Sequence, residues 1–185
     1  MKNSIIYRED IDCLRGLSVV FVILYHLKIS YFTGGFLGVD IFFVISGFLI
    51  TSIILKDISD GTFSLISFYE RRIRRIFPAL FFVLISTYFF FNFIYLEGEI
   101  KELSKSIIST ILFYANFHFL DHGSYFSPMN ENLPLLHTWS LSIEEQFYFF
   151  FPFLIIFFKK NLSIILKSLI VLTFFSICLL YTSDA

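Results

Sequence analysis

Five stretches of this 185-residue chain, 14–32, 36–55, 77–96, 140–158 and 162–181, each approach the ~20 apolar residues that a helix needs to cross a hydrocarbon core. Lipid offers no partner to a backbone N–H or C=O, so segments of this length must satisfy their own hydrogen bonds, as helices do. Composition closes the soluble alternative. Hydrophobic residues make up 57% of the chain, Phe alone accounts for 28 positions, only 16% are charged, and the mean hydropathy is +0.79. A soluble domain of this size could not bury that much apolar surface. The expected fold is all-α, a polytopic membrane helix bundle with about five transmembrane helices. A sixth apolar stretch, 107–120, is shorter, carries Asn116 and His118, and runs into the polar segment 121–132. It is expected to form a short re-entrant or interfacial helix. The whole of 1–185 reads as one transmembrane domain.

Several function classes are absent from the pattern. There is no glycine-rich phosphate loop, serine elbow, metal-ligand cluster or nucleic-acid-binding stripe. Cys13 and Cys178 stand at neither metal-ligand nor redox spacing and read as small buried hydrophobes. The first fifteen residues mix Asp and Glu with Lys and Arg, and no small-residue cleavage site follows. The first helix is therefore expected to be a retained anchor and not a signal peptide.

Lys and Arg gather on cytoplasmic flanks. Lys2, Arg8 and Arg15 precede or open the first span, and Lys56, Arg71, Arg72, Arg74 and Arg75 separate the second from the third. Both groups are expected to face the cytoplasm, with the N-terminus inside and the turn at 33–35 outside. If 107–120 crossed the membrane, Lys159 and Lys160 would fall outside; if it only dips in, they fall inside. The second arrangement is preferred, and it makes 97–138 one long outer segment that shapes an entrance.

Ionisable groups within a span mark sites, because they are costly there. Arg15 and His26 lie eleven residues apart in the first apolar run, so a helix returns them to nearly one face, about 16 Å apart along its axis. Gly34, Gly35, Gly38 and Gly47 suit the outer turn and close helix approach. Trp139 and the terminal tyrosines suit interfacial anchoring. Ser140, Glu144 and Tyr148 recur at every fourth residue and form a polar stripe. Glu145 points about 100° away from Glu144, so Glu144 is the preferred member of that pair.

Four blocks in order resemble one known family. The first is Asp12-Cys-Leu-Arg15-Gly-Leu followed by Tyr25-His26, and the second is Gly38-Val-Asp40-Ile-Phe42-Phe43-Val-Ile-Ser46-Gly47-Phe48. The third is Arg71-Arg72-Ile-Arg74-Arg75-Ile-Phe-Pro78, and the fourth is Leu135-Leu-His137-Thr-Trp139-Ser140-Leu-Ser-Ile-Glu144-Glu145-Gln146-Phe-Tyr148. Together they resemble the acyltransferase-three family of integral membrane O-acyltransferases, over nearly the whole chain to about Pro152. The resemblance implies a multi-pass protein of the bacterial inner membrane. It implies transfer of an acyl group, usually acetyl, from acetyl-CoA on the cytoplasmic side to a hydroxyl of an extracytoplasmic glycan. Lipopolysaccharide O-antigen, capsule, peptidoglycan and lipid-linked saccharides are the acceptor classes. The family's arginine, ten intervening residues and histidine fall on Arg15 and His26. Its paired arginines fall best on Arg72 and Arg75, although Arg71 and Arg74 have the same spacing.

These residues fit such roles. A sugar hydroxyl is a poor nucleophile, and neutral histidine suits removal of its proton during attack on a thioester. His26 is the expected base, with Asp40 or Glu144 orienting the imidazole and steadying its protonated form. The arginines of 71–75 set topology and touch anionic lipid, and their planar forks also suit the phosphates of coenzyme A. Arg15 would pair with Asp12 or face the pantetheine channel.

The family's bundle of about ten helices exceeds the five read here, so the chain corresponds to an N-terminal portion without the helices that close a cavity. The terminal string 178–185 also resembles a translated sequencing adaptor. Two other classes remain open at this stage. A transporter or ion-translocating subunit would use intramembrane His and Asp, but no internal repeat is visible. An inactive truncated scaffold would need no site at all.

Overall fold

A computed structural model describes residues 9–121 and 133–158, together with 163–164, 167 and 169–171. The span expected at 162–181 falls mostly outside them, as do Lys159, Lys160, Cys178 and the polar run 122–132. The regular elements among the described residues are α1 (Glu9–His26), a 3₁₀ turn (Ser30–Phe32), α2 (Leu37–Ser59), α3 (Leu65–Phe91), α4 (Glu97–Ile111), α5 (Ala115–Asp121) and α6 (Thr138–Phe158). All are helical. The chain divides into two compact units, Met1–Glu144 and Glu145–Ala185. The second holds the C-terminal half of α6, and everything below concerns the first unit or α6 as a helix.

Among the described residues three helices, α2, α3 and α6, are long and apolar enough to cross a membrane. This is fewer than the five spans expected. The first expected span, 14–32, fails because α1 carries Glu9, Asp10, Asp12 and Arg15 within its 18 residues and stops at His26. The stop is a Schellman motif: Lys28 takes a left-handed φ of 54°, its N–H bonds the Tyr25 carbonyl, and the Ile29 N–H reaches back to Leu24. The same closure ends α2 at Gly61, where φ is 68° and Thr62 N–H bonds Asp57. It also ends α4 at Phe113, where φ is 51° and Tyr114 N–H bonds Ser109. The short stretch 107–120 is thus not one helix but the end of α4, a left-handed break and most of α5.

Helix α3 starts twelve residues before the expected 77, capped by the Ser64 hydroxyl, which accepts the Ser67 N–H. The arginine cluster therefore rides on the helix itself and not in a loop at its foot. Pro78 sits inside α3 and has no N–H to offer the Arg74 carbonyl.

Helices α1 and α2 pack backbone to backbone. A side chain on Gly35 would collide with the Phe21 carbonyl, and one on Gly38 with the Ser18 carbonyl. Gly34 and Gly47 have open space at that position, so the close approach belongs to only two of the four glycines. An apolar core cluster lies elsewhere, where Leu80 and Leu84 of α3 meet Leu103 of α4, Ala115 and Phe119 of α5, and Leu135 and Leu136 before α6.

Polar contacts hold α4 and α5 in place. The Thr110 hydroxyl lies 2.9 Å from that of Thr138 at the start of α6. The Ala115 N–H, orphaned at the start of α5, donates to the Ser142 hydroxyl at 3.2 Å. His118 Nε2 lies 3.2 Å from the Ser106 hydroxyl and 3.5 Å from the Glu102 carboxylate, which joins α5 to α4. Residues of α5 share a cavity with Phe36, Val39 and Asp40 at the start of α2.

Candidate active site

His26 is the last residue of α1, immediately before its left-handed cap. Its Nδ1 lies 2.7 Å from the Val22 carbonyl one turn back. A carbonyl only accepts, so Nδ1 carries the hydrogen and Nε2 keeps the lone pair. The contact therefore selects the tautomer and fixes the ring plane, leaving one basic nitrogen.

Two cavities flank this imidazole. The larger, about 450 Å³, is walled by His26, Phe36, Val39 and Asp40 on one side, by Asn116, Phe117, Phe119 and Leu120 of α5, and by Trp139 and Ile143 of α6. The smaller, about 360 Å³, is walled by Val22, Ile23, His26 and Leu27 of α1 and the turn after it, Val39, His137, Trp139 and Ser140. His26, Val39 and Trp139 belong to both.

Asp40, in the first turn of α2, shares the larger cavity with His26. It is exposed there. Glu144 is half-buried and lines neither of these two cavities; α6 turns Ile143 toward one and Ser140 toward the other. The structure therefore brings Asp40 and Ser140, but not Glu144, onto the walls around His26.

Arg15 is not ion-paired with Asp12 among the described residues. Its guanidinium lies 5.0 Å over the Phe42 ring, and its Nε is buried without a hydrogen-bond partner. The arginines of α3 split by face. Arg71 pairs with Asp57 at 3.4 Å and Arg74 with Glu70 at 2.8 Å. Arg72 lies 5.8 Å over the Phe68 ring, and Arg75 is exposed.

Three wall residues carry no catalytic or binding role in the sequence reading. Trp139, read as an interfacial anchor, lines both cavities, with its ring edge-on to Phe43 at 6.4 Å. Asn116 supplies an amide to the larger cavity. His137 meets His26 edge-on, with ring centroids 4.4 Å apart. His137 keeps exposed surface, yet desolvation of its ring by the packed neighbours, and then the proximity of His26, hold its imidazole below the ordinary range. Its place two residues before Trp139 in the fourth block was the signal available for it. Its juxtaposition to His26 depends on how α1 and α6 pack, which no local pattern encodes. The arrangement combines a tautomer-fixed base, a second neutral imidazole, a carboxylate and mainly apolar walls, and it contains the elements needed for proton abstraction from a weakly acidic hydroxyl.

A family model described as an acyltransferase domain matches residues 8–184. Peptidoglycan O-acetyltransferase OatA of Listeria monocytogenes serovar 1/2a is 41% identical over 169 residues, covering 89% of this chain and 27% of that protein. O-acetyltransferase OatA of Staphylococcus aureus strain NCTC 8325 is 39% identical over 153 residues, covering 82% of this chain and 25% of that protein. The chain thus spans about a quarter of the length of these curated relatives. No solved structure matches it.

Proposed function

Since the chain belongs to the acyltransferase-three family, we propose that it is part of an O-acetyltransferase of the bacterial inner membrane. The proposed reaction takes acetyl from acetyl-CoA, bound from the cytoplasmic side, and places it on a hydroxyl of a cell-envelope glycan. Peptidoglycan is the favoured acceptor, because one relative bears that name.

The observation that carries this reading is the fixed His26 imidazole between two cavities. Its Nε2 takes the acceptor's hydroxyl proton while the oxygen attacks the thioester carbonyl carbon. Collapse of the tetrahedral adduct forms the ester and expels the coenzyme A thiolate. Asp40, on the same cavity wall, is the favoured partner for the imidazolium, and Glu144 is the alternative carboxylate. Arg72 and Arg75 hold the donor's phosphates at the cytoplasmic end, and Arg15 lies on the route of the pantetheine arm.

Sealed vesicles bearing the full-length protein test the scheme. Labelled acetyl-CoA supplied on the cytoplasmic face should acetylate glycan on the opposite face. His26→Gln should lower turnover by about 10²–10⁴, the loss typical of a removed general base, with membrane insertion unchanged. Undiminished turnover in that variant, or a need for donor and acceptor on one face, would refute the assignment.

A further inference from the structure

Acyl transfer moves one proton from the acceptor hydroxyl to the departing thiolate, and the base that accepts it must also dispose of it. The Val22 carbonyl holds the Nδ1–H of His26, so a single nitrogen, Nε2, both receives and releases that proton. Pinned in this way, the ring cannot swing to carry the proton to a sulfur lying on its far side. A second carrier stands beside it. His137 lines the smaller cavity and not the larger, and its ring lies edge-on to His26 at 4.4 Å, with 80° between the ring planes.

We propose that His137 is a second catalytic residue, which accepts the proton from His26 and delivers it to the coenzyme A thiolate in the smaller cavity. This rests on the acyl-transfer reading above. The balance is complete: the hydroxyl proton passes to His26 Nε2, then to His137, then to sulfur, and both imidazoles return to neutrality. The larger cavity, with Asp40 and Asn116, takes the acceptor, and the smaller takes the thioester end of the donor.

The surroundings fit a relay. From α1 and its turn the smaller cavity receives Val22, Ile23 and Leu27, and from α2 Val39, none of which titrates. His26 is the titratable wall residue that faces His137. The Ser140 hydroxyl donates to the His137 carbonyl at 3.0 Å, so its own proton is committed. Desolvation of its ring and the neighbouring imidazole keep the resting His137 neutral and make it a weak base, so a proton it takes from His26 passes readily to the more basic thiolate. Two imidazolium ions at this separation repel, so the pair holds one proton at a time and titrates as a unit.

The test compares two donors in one membrane preparation of the full-length protein. Acetyl-CoA leaves as an alkyl thiolate that needs a proton; S-(4-nitrophenyl) thioacetate leaves as an aryl thiolate stable without one. In His137→Gln the ratio of turnover with acetyl-CoA to turnover with the aryl thioester should fall by about 10²-fold, at the lower end of the range for general acid–base groups. His26→Gln should lose both. The readout is a ratio within one preparation, so a smaller amount of folded variant cancels. An equal loss with both donors, or wild-type turnover of acetyl-CoA in His137→Gln, overturns the relay. A wild-type protein that transfers acetyl from neither donor overturns the acyl-transfer reading itself.

Discussion

Arg71 and Arg74 each meet a carboxylate, Asp57 at 3.4 Å and Glu70 at 2.8 Å, whereas Arg72 lies over Phe68 and Arg75 is exposed. Sequence spacing alone accepts either pair, because both are i and i+3 on one helix. A guanidinium already facing a carboxylate is partly neutralised and has to leave that partner to grip phosphate, which favours the exposed Arg75 over Arg71 and Arg74 in the proposed donor site. Arg75→Ala is expected to weaken coenzyme A binding roughly ten- to a hundredfold, the ~1.5–3 kcal/mol of a charge-assisted contact. Arg71→Ala and Arg74→Ala should weaken it less. Titration calorimetry on the solubilised full-length protein checks this, and a larger effect at Arg71 than at Arg75 would move the donor to the other pair.

At the scale of elements, the α1–α2 contact is the one that sets His26 against Asp40. Gly38→Ala would press a methyl group onto the Ser18 carbonyl and bring it within 2.9 Å of Val22 Cγ2, the residue whose carbonyl fixes the His26 ring. The obstruction is backbone, so the helices must part, at an expected cost of about 1–3 kcal/mol. Gly47→Ala has open space in the same helix and should be neutral or stabilising by up to ~1 kcal/mol. Thermal unfolding in detergent separates the two variants; equal behaviour would remove close packing as the reason for Gly38. The apolar runs of α2 and α6 were legible to within a few residues, because hydrocarbon length and a lack of charge are local properties. The ends of α1 and α4 were not, since Lys28 and Phe113 take left-handed caps that usually advertise themselves as glycine. The start of α3 was obscured by four arginines that read as a loop but sit comfortably on a Ser64-capped helix. His26 and Asp40 were singled out in the sequence, and both line one cavity. His137 was not, because its meaning comes from a neighbour 111 positions away in the chain.

For the whole molecule, the basic residues around the α2–α3 turn predict sidedness. With Cys13 and Cys178 replaced by serine, a cysteine at position 62 should resist a membrane-impermeant thiol reagent in intact cells, and one at position 34 should react; the opposite pattern would invert the protein in the membrane. One seam bears on how such a molecule moves. Thr110 and Thr138 own two hydroxyl protons but make three contacts at hydrogen-bond distance, to the Ser106 and Leu135 carbonyls at 2.7 Å each and to one another at 2.9 Å. Only two of the three can be occupied at any moment. If α4 draws away from α6 there, the Thr110 hydroxyl keeps the Ser106 carbonyl and the Thr138 hydroxyl keeps the Leu135 carbonyl in the turn before α6, so no donor is stranded. The joint is a latch with a spare catch, able to part and re-form at little electrostatic cost, next to the short helix that walls the cavity proposed for the acceptor.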